Sequence, residues 1–322
     1  RLDTGDPRTE VGSLRQSLNG MLSRVETALE ERDESVTQMR QFVGDASHEL
    51  RTPLVSVRGY AELYRMGAIQ RPEDVASAMD RIEREAKRMG SLVEDLLTLA
   101  RLDERRPLQL QPLDLVPLVN DAVNDARVSA QDRAFQTLAI DPDAQTAVDA
   151  AAAPAELFAP PPVAPPAVVL ADENSMRQVV ANLVGNALRY TDEGSPIELG
   201  VGVSWRRREA VVHVIDHGEG VPPALRRKIF QRFYRADKSR ARGTGGSGLG
   251  LAIVQGIVAA HGGRIDVIET AGGGATFRIA IPLADDRALL ELTERIRPDQ
   301  TTTSGTSPQR RRRDRDEQPP AS

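Results

Sequence analysis

The sequence predicts a multidomain protein, in which an α-helical hairpin forming a dimeric four-helix bundle is followed by an α+β sandwich. Three observations support this fold class. Apolar residues recur in alternating steps of four and three over the first third of the chain, prolines interrupt that pattern, and short apolar strands then alternate with glycine-rich turns. A chain of 322 residues, 40% of them hydrophobic, is long enough to bury two cores.

The helical hairpin is predicted from two apolar runs. The first run extends from Leu18 to Leu50 and resumes after Pro53, and the second extends from Val75 to Ala100 with charged residues between its apolar positions. Sustained steps of four and three indicate helices that bury one narrow seam against partner helices. Residues 67–72 separate the runs as a turn. Because one hairpin cannot cover both seams well, we expect two copies to pair into a four-helix bundle.

The second half of the chain reads as alternating helices and strands after a proline-containing linker at 105–117. We predict helices at 120–129, 174–190, 223–230 and 249–261, and strands at 137–140, 196–204, 210–216, 264–269 and 275–282. An Ala- and Pro-rich insertion at 141–166 reads as low-complexity loop, and the polar C-terminal tail is expected to be disordered. One sheet with helices on one face follows from this order.

The composition argues against several kinds of function. With 42 basic and 47 acidic residues the net charge is -5, so we do not expect a nucleic-acid binder. The chain has no cysteine and therefore neither a disulfide framework nor a thiolate metal site. It also contains no stretch of about 20 mostly apolar residues, the length that a transmembrane helix needs.

His48 is the candidate nucleophile of the helical region. The seam positions Ala46 and Leu50 lie two residues away on either side, so His48 should face solvent. Glu49 is adjacent and can orient the imidazole and accept its proton, while Pro53 removes one backbone hydrogen bond nearby. A solvated surface histidine is the ordinary alternative. The proline in the seam and the motifs downstream favour a nucleophile.

Three motifs downstream suit a nucleotide. Asn182 and Asn186 lie on one helix face, and neutral amide oxygens suit Mg²⁺. Asp216 ends a strand before two glycines, where it can accept a hydrogen bond from an adenine amino group. The glycine-rich run 245–251 leads into a helix and can cradle phosphates. Taken singly, an exposed Asn pair, a strand-ending turn and a flexible linker are ordinary readings of these segments.

The segment between the last two motifs completes the pattern. Residues 230–235 read Phe-Gln-Arg-Phe-Tyr-Arg, and residues 236–243 are rich in arginine and small residues, as expected for a hinged lid over a nucleotide. The glycine run lacks the Gly-Lys-Ser/Thr ending of a Walker A loop.

In this order the segments resemble the H, N, G1, F and G2 boxes of sensor histidine kinases, over about residues 40–283. The second domain is similar to the GHKL ATP-binding fold, and Thr9-Glu10-Val11-Gly12 with Leu18 resembles the second helix of a HAMP relay domain. The resemblance implies a partial HAMP helix and linker at 1–35, a dimerisation and histidine phosphotransfer domain at 36–106, a catalytic ATP-binding domain at 107–285, and a disordered tail at 286–322.

The resemblance also implies a role for each matching residue. His48 is phosphorylated from ATP, Glu49 acts as its base, and Thr52 positions water when the same bundle dephosphorylates a partner protein. Asn182 and Asn186 hold Mg²⁺. The implied ATP-binding residues are Asn182, Asn186, Arg189, Tyr190, Asp216, Gly218, Gly220, Arg235, Gly246, Gly248, Leu249 and Gly250.

The implied partners are a second copy of the chain and the receiver domain of a response regulator, which takes the phosphoryl group on an aspartate. The whole protein is expected at the cytoplasmic face of the bacterial plasma membrane, anchored through segments outside this sequence. Two alternatives stay open: a GHKL ATPase without histidine transfer, and a dimeric signalling scaffold. Arg310–Arg313 are interspersed with acidic residues, so a solvated tail is expected there rather than a nucleic-acid site.

Overall fold

The computed structural model describes residues 10–103, 108–143, 164–235 and 246–285. Its first part is a helical hairpin of α1 (Glu10–Arg65) and α2 (Pro72–Asp103). Gly67, at φ 73°, lies in the connecting turn. Pro72 begins α2, where its missing N–H costs no hydrogen bond, and two acidic residues follow in the first turn. The two predicted helices and the turn between them are confirmed.

Helix α1 continues through Pro53, which is buried. The hairpin leaves a row of large apolar side chains exposed along both helices. These are Leu18, Met21, Leu22, Val25, Leu29, Val36, Met39, Val43, Leu54, Val55, Leu63, Met79, Val93 and Leu97. A single hairpin therefore leaves much of its apolar surface uncovered, as the pattern of the sequence predicts for helices that pair with a second copy.

The second part is built on a five-stranded sheet in the order β2-β4-β5-β7-β6, whose strands are β2 (Phe135–Ala139), β4 (Ile197–Ser204), β5 (Glu209–Asp216), β6 (Arg264–Glu269) and β7 (Ala275–Pro282). Strand β2 is parallel to β4, and the other pairs are antiparallel. A separate two-stranded antiparallel sheet joins β1 (Gln111–Asp114) to β3 (Val168–Ala171).

Three helices contact the five-stranded sheet: α3 (Leu115–Ser129), α4 (Glu173–Tyr190) and α5 (Gly250–Ala260). The shared core includes Leu199 and Val201 of β4, Leu183 of α4 and Ile253 of α5, which are all fully buried. This arrangement confirms the predicted α+β sandwich.

The start of α3 corrects the predicted linker at 105–117. Residues 111–114 pair as β1, and α3 begins at Leu115 rather than at residue 120. Asp114 is the N-cap, and its Oδ1 accepts the Val116 N–H at 3.0 Å. Pro117 is tolerated because it lies in the first turn, where backbone N–H groups have no partner within the helix.

The helix predicted at 223–230 is wrong. That segment forms turns and only a short 3₁₀ helix, Lys228–Phe230, where buried Phe230 packs edge-on against Phe277 at 6.5 Å between ring centroids. Strand β2 begins two residues earlier than predicted and ends at Ala139. Most of the insertion, the lid at 236–243, the tail and the first nine residues lie outside the described residues.

The two parts of the chain are in contact. Leu92 and Leu99 of α2 belong to the same apolar core as the sheet domain. At the end of α2, Arg232 forms an ion pair with Asp103 at 2.7 Å. Phe42 of α1 packs against Phe233, with 6.1 Å between the ring centroids.

Candidate functional site

His48 lies in a cleft of about 590 Å³ between α1 and the segment that precedes the lid. The hairpin contributes Gln41, Asp45, His48 and Glu49, and the second domain contributes Leu225, Gln231, Arg232, Phe233, Tyr234 and Arg235. The cleft therefore brings His48 and Glu49 together with Arg235, all three predicted site residues, although they are far apart in the sequence.

His48 differs from the other three histidines of the chain in its exposure. His261 is buried: its Nδ1 lies 2.8 Å from the Ile257 carbonyl oxygen, and its Nε2 accepts the Asp172 N–H at 3.1 Å. His213 is half-buried in β5, and His217 lies 3.2 Å from a carboxylate oxygen of Glu198. Only the His48 imidazole is exposed, as the seam pattern predicts for a histidine that must meet a substrate.

Glu49 is oriented by a charged neighbour on α2. Its Oε2 lies 3.8 Å from Nη2 of Arg88, and both side chains are about one-third exposed. Arg88 also lies 4.0 Å from Glu85, so it is shared between two carboxylates. On the next turn the Thr52 hydroxyl donates to the His48 carbonyl oxygen at 3.3 Å. Thr52 is thus beside His48, on the exposed side of α1.

Asp216 lies at the centre of a second group of predicted residues, which includes Gly218 and Gly220. Its Oδ1 accepts the N–H of Gly218 at 3.0 Å and the N–H of Ala275 at 3.1 Å, and the residue is 5% exposed. Burial raises the pKa of Asp216, and the two N–H donors oppose that rise. Both bonds go to Oδ1, so Oδ2 remains for an amino group such as that of adenine.

The glycines around Asp216 are required by close backbone contacts. A Cβ on Gly218 would clash with the Tyr190 carbonyl oxygen, and one on Gly220 would lie 2.8 Å from the Gly274 carbonyl oxygen. Gly274 itself, at φ 114°, packs against the Asp216 carbonyl oxygen. These contacts hold the end of α4, the end of β5 and the start of β7 together.

The glycine-rich run closes the other side of this group. A Cβ on Gly246 would clash with the guanidinium of Arg189, and one on Gly248, at φ 72°, would lie 2.9 Å from the Phe233 carbonyl carbon. Leu249 is fully buried just before α5 begins at Gly250. Gly248 therefore connects the glycine-rich run to the His48 cleft, because Phe233 also lines that cleft.

Asn182 and Asn186 lie half-buried on α4, one turn apart. The Asn182 carboxamide faces the start of α5, with Oδ1 3.7 Å from the position that a Cβ on Gly250 would take, and its buried Nδ2 has no hydrogen-bond partner among the described residues. Neutral amide oxygens beside a glycine-rich helix start fit a Mg²⁺ ion that shares its ligands with phosphates. Elsewhere in the described ranges, no three His, Cys, Asp or Glu side chains form a metal-binding cluster.

Several residues of the site were not predicted. Asp95 on α2 accepts the Ser247 hydroxyl at 2.9 Å, and Ser247 in turn accepts the Leu249 N–H at 3.2 Å. Burial raises the pKa of Asp95, against the effect of the Ser247 bond. Arg133 donates to the carbonyl oxygens of Leu188 and Thr191 and so holds the C-terminal end of α4. Neither residue has a signal in its local sequence, whereas the three consecutive glycines at 272–274 could have indicated the tight contact at Asp216.

Two family models match the chain. The His Kinase A (phospho-acceptor) domain matches residues 38–105, and the histidine kinase-, DNA gyrase B-, and HSP90-like ATPase matches residues 171–285. The first contains His48, Glu49 and Thr52, and the second contains every residue of the Asp216 and glycine-rich groups.

Curated relatives agree with these matches. The probable sensor histidine kinase TcrY of Mycobacterium tuberculosis is 44% identical over 279 residues, which are 86% of this chain and 53% of that protein. The sensor histidine kinase TrcS of the same organism is 39% identical over 286 residues, which are 88% of this chain and 51% of that protein. The chain therefore spans about half the length of the curated relatives it matches.

Solved structures share the fold. Full-length ShkA in complex with AMPPNP is 29% identical, covers 74% of this chain and 44% of that one, and superposes with a TM-score of 0.51. The histidine kinase ThkA in complex with the response regulator protein TrrA is 22% identical, covers 79% and 64%, and gives a TM-score of 0.57, which shows likeness of fold alone.

Proposed function

This chain belongs to the sensor histidine kinases of two-component systems, and on that premise we propose that it transfers the γ-phosphoryl group of ATP to His48 and then to an aspartate of a response regulator. The His48 cleft supports the proposal most directly, because it places an exposed histidine and a carboxylate opposite Arg235 of the ATP-binding domain. The glycine-rich run, which suits phosphates, adjoins the same segment at Gly248, and the Asp216 group, which suits adenine, lies at the end of α4.

In the proposed reaction, a ring nitrogen of His48 attacks the γ-phosphorus, the bond from phosphorus to the β–γ bridging oxygen breaks, and ADP leaves. Glu49, held near Arg88, orients the ring and accepts the proton that the imidazole loses. The proposal assigns stabilisation of phosphate charge to Arg235 at the cleft and to Arg189 and Tyr190 at the end of α4. Asn182 and Asn186 would hold Mg²⁺, which when bound neutralises charge on the phosphates.

Autophosphorylation is tested with γ-labelled ATP and Mg²⁺. We expect an acid-labile, base-stable label on the wild-type chain and none on His48→Gln, which should still bind ATP because His48 lies outside the Asp216 group. A folded protein that binds ATP and never becomes labelled would contradict the kinase and favour a plain ATPase or a scaffold. Label retained in His48→Gln would place the phosphoryl group on another residue.

We also propose that the bundle dephosphorylates its regulator, with Thr52 positioning the attacking water. Thr52 lies one turn beyond His48 and is exposed, and rotation about its Cα–Cβ bond frees the hydroxyl from the His48 carbonyl. Thr52→Ala should keep histidine labelling and lose phosphatase activity on a phosphorylated receiver domain, whereas Thr52→Ser, which keeps the hydroxyl, should retain it. Equal dephosphorylation by wild type and Thr52→Ala would contradict this role.

The proposed assembly is a homodimer through the exposed apolar row of α1 and α2. The proposed domain boundaries are those of the sequence, 36–106 and 107–285, and the matched segments 38–105 and 171–285 lie inside them. No helix within the described residues has the length and apolar character that crossing a bilayer requires. The HAMP-like segment, the membrane anchor and the cytoplasmic-face location stay predictions.

A further inference from the structure

We propose that the tip of the β4–β5 hairpin, residues 205–208, binds a surface of anionic phospholipids. This inference is independent of the kinase reaction. The tip reads Trp-Arg-Arg-Arg, and all four residues are exposed, Trp205 by 70%. Trp205 is the only tryptophan in a chain with 3% aromatic residues. Because most of its side chain is exposed, packing does not explain its position at the tip.

The backbone of the hairpin tip is fixed by hydrogen bonds. Asp143 accepts the Ser204 hydroxyl at 2.6 Å and the Arg206 N–H at 3.3 Å, and the Ser204 hydroxyl oxygen accepts the Arg207 N–H at 3.2 Å. The carbonyl oxygen of Arg208 accepts the Leu283 N–H at 2.9 Å. Ser204 is buried. The tip is therefore presented in one conformation, which lowers the entropy that binding must overcome.

The tip carries a local positive charge. Within the described residues, none of the guanidinium groups of Arg206, Arg207 and Arg208 forms an ion pair, whereas the neighbouring Arg264 is paired with Glu209. Two carboxylates are nearby, Asp143 and Glu209, and Glu209 is paired with Arg264, so the three arginines leave an excess of positive charge at the tip. Salt screens charges beyond about 8 Å, so this local excess acts at short range despite the net charge of -5.

The shape and chemistry of the tip favour a lipid surface over a protein. A stable protein interface needs roughly 800 Å² from each partner, and four residues at a convex turn offer less. An indole beside guanidinium groups suits the headgroup region of a bilayer, where tryptophan is enriched and each cation near an anionic surface strengthens binding roughly five-fold. A nucleic acid needs an extended basic surface, and three arginines at one turn are too few to provide it.

Because the chain has one tryptophan, its fluorescence reports on this tip alone. We would titrate the full chain with vesicles of phosphatidylglycerol and phosphatidylcholine in equal parts, and with vesicles of phosphatidylcholine only. We expect a saturable blue shift with the anionic vesicles that salt weakens, and none with the neutral ones. Arg206→Gln with Arg207→Gln should weaken binding about 25-fold, at roughly five-fold for each arginine.

The control variant carries Arg84→Gln with Arg101→Gln, which removes the same charge from exposed positions of α2 and should bind vesicles like wild type. An unchanged emission with anionic vesicles would overturn the proposal, as would equal shifts with both lipids or equal weakening in both variants. Vesicles that sediment the chain without moving its emission would place the contact elsewhere, such as Arg310–Arg313. A shift with inorganic phosphate, an acidic peptide or an oligonucleotide in place of vesicles would likewise overturn it.

Discussion

Removing the charge of Asp95 should tighten ATP binding. In the structure the Asp95 carboxylate holds the Ser247 hydroxyl at 2.9 Å, within the glycine-rich run that we propose as the phosphate cradle. ATP phosphates placed there would meet a negative charge on α2. Asp95→Asn keeps the shape and a hydrogen-bond acceptor for Ser247 but removes that charge, so the electrostatic conflict is isolated from the packing.

The size of the effect follows from Coulomb's law. A phosphate oxygen that replaces the carboxylate as partner of Ser247 would lie about 5 Å from the Asp95 charge, where two unit charges interact by about 3 kcal/mol at an effective dielectric constant near 20 and under 1 kcal/mol in water. Asp95 is half-buried, so an intermediate value of about 1 to 2 kcal/mol applies. ATP should therefore bind Asp95→Asn about 5- to 30-fold more tightly.

Titration calorimetry with a non-hydrolysable ATP analogue and Mg²⁺ measures this change. Glu94→Gln is the matched control, because it removes the same charge from the adjacent, exposed residue and should bind like wild type. Unfolding curves should show that all three proteins are folded. Unchanged or weaker binding by Asp95→Asn would refute the conflict between this carboxylate and the phosphates, and equal tightening in Glu94→Gln would show a general charge effect instead.

Three further predictions concern the ATP-binding domain. Gly274→Ala should abolish ATP binding or unfold the domain, because its Cβ would clash with the Asp216 carbonyl at φ 114°, whereas Gly272→Ala, at φ 84° with open space, should cost only about 1 kcal/mol by denaturant unfolding. Burial lowers the pKa of His213 to about 4, so the unfolded chain takes up a proton first as pH falls. The free energy of unfolding should therefore fall by about 3 kcal/mol as the pH is lowered from 6.5 to 4. His213→Gln should remove that part of the loss, which unfolding curves at several pH values would detect. Asn186→Asp should bind Mg²⁺-ATP with altered affinity and label His48 slowly, while an unaltered labelling rate would exclude it from the metal site.

The helical hairpin and the order of the ATP-binding motifs could be predicted because their signals are local. The apolar steps of α1 and α2 are periodic over many turns, and each motif is a short run of residues. The two-stranded sheet of β1 and β3 could not be predicted, because it joins Gln111 to Ala171 across the insertion. Such a pairing depends on distant residues and leaves no periodic pattern in either strand of four residues.

The failed helix at 223–230 shows how tertiary contacts override a local pattern. Pro222 precedes the predicted helix and Pro223 is its first residue, and a helix of two turns gains few hydrogen bonds for the cost of nucleation. Phe230 instead packs against Phe277 of the sheet, and the following residues line the His48 cleft. The contact between Asp95 and Ser247 could not be predicted either, because it joins two domains that the sequence predicts separately.

The position of Asp95 also bears on how the γ-phosphate would reach His48. Helices α1 and α2 are antiparallel, and Glu49 lies opposite Arg88, so His48 is level with that part of α2. Asp95 is seven residues further along α2, which is about 10 Å at the helical rise per residue. Ser247, held at Asp95, is thus displaced along the bundle from His48, and we expect this contact to break before the phosphoryl group is transferred. If this is so, Asp95→Asn should label His48 faster than wild type even at saturating ATP, whereas equal initial rates would show that breaking the contact does not limit the reaction.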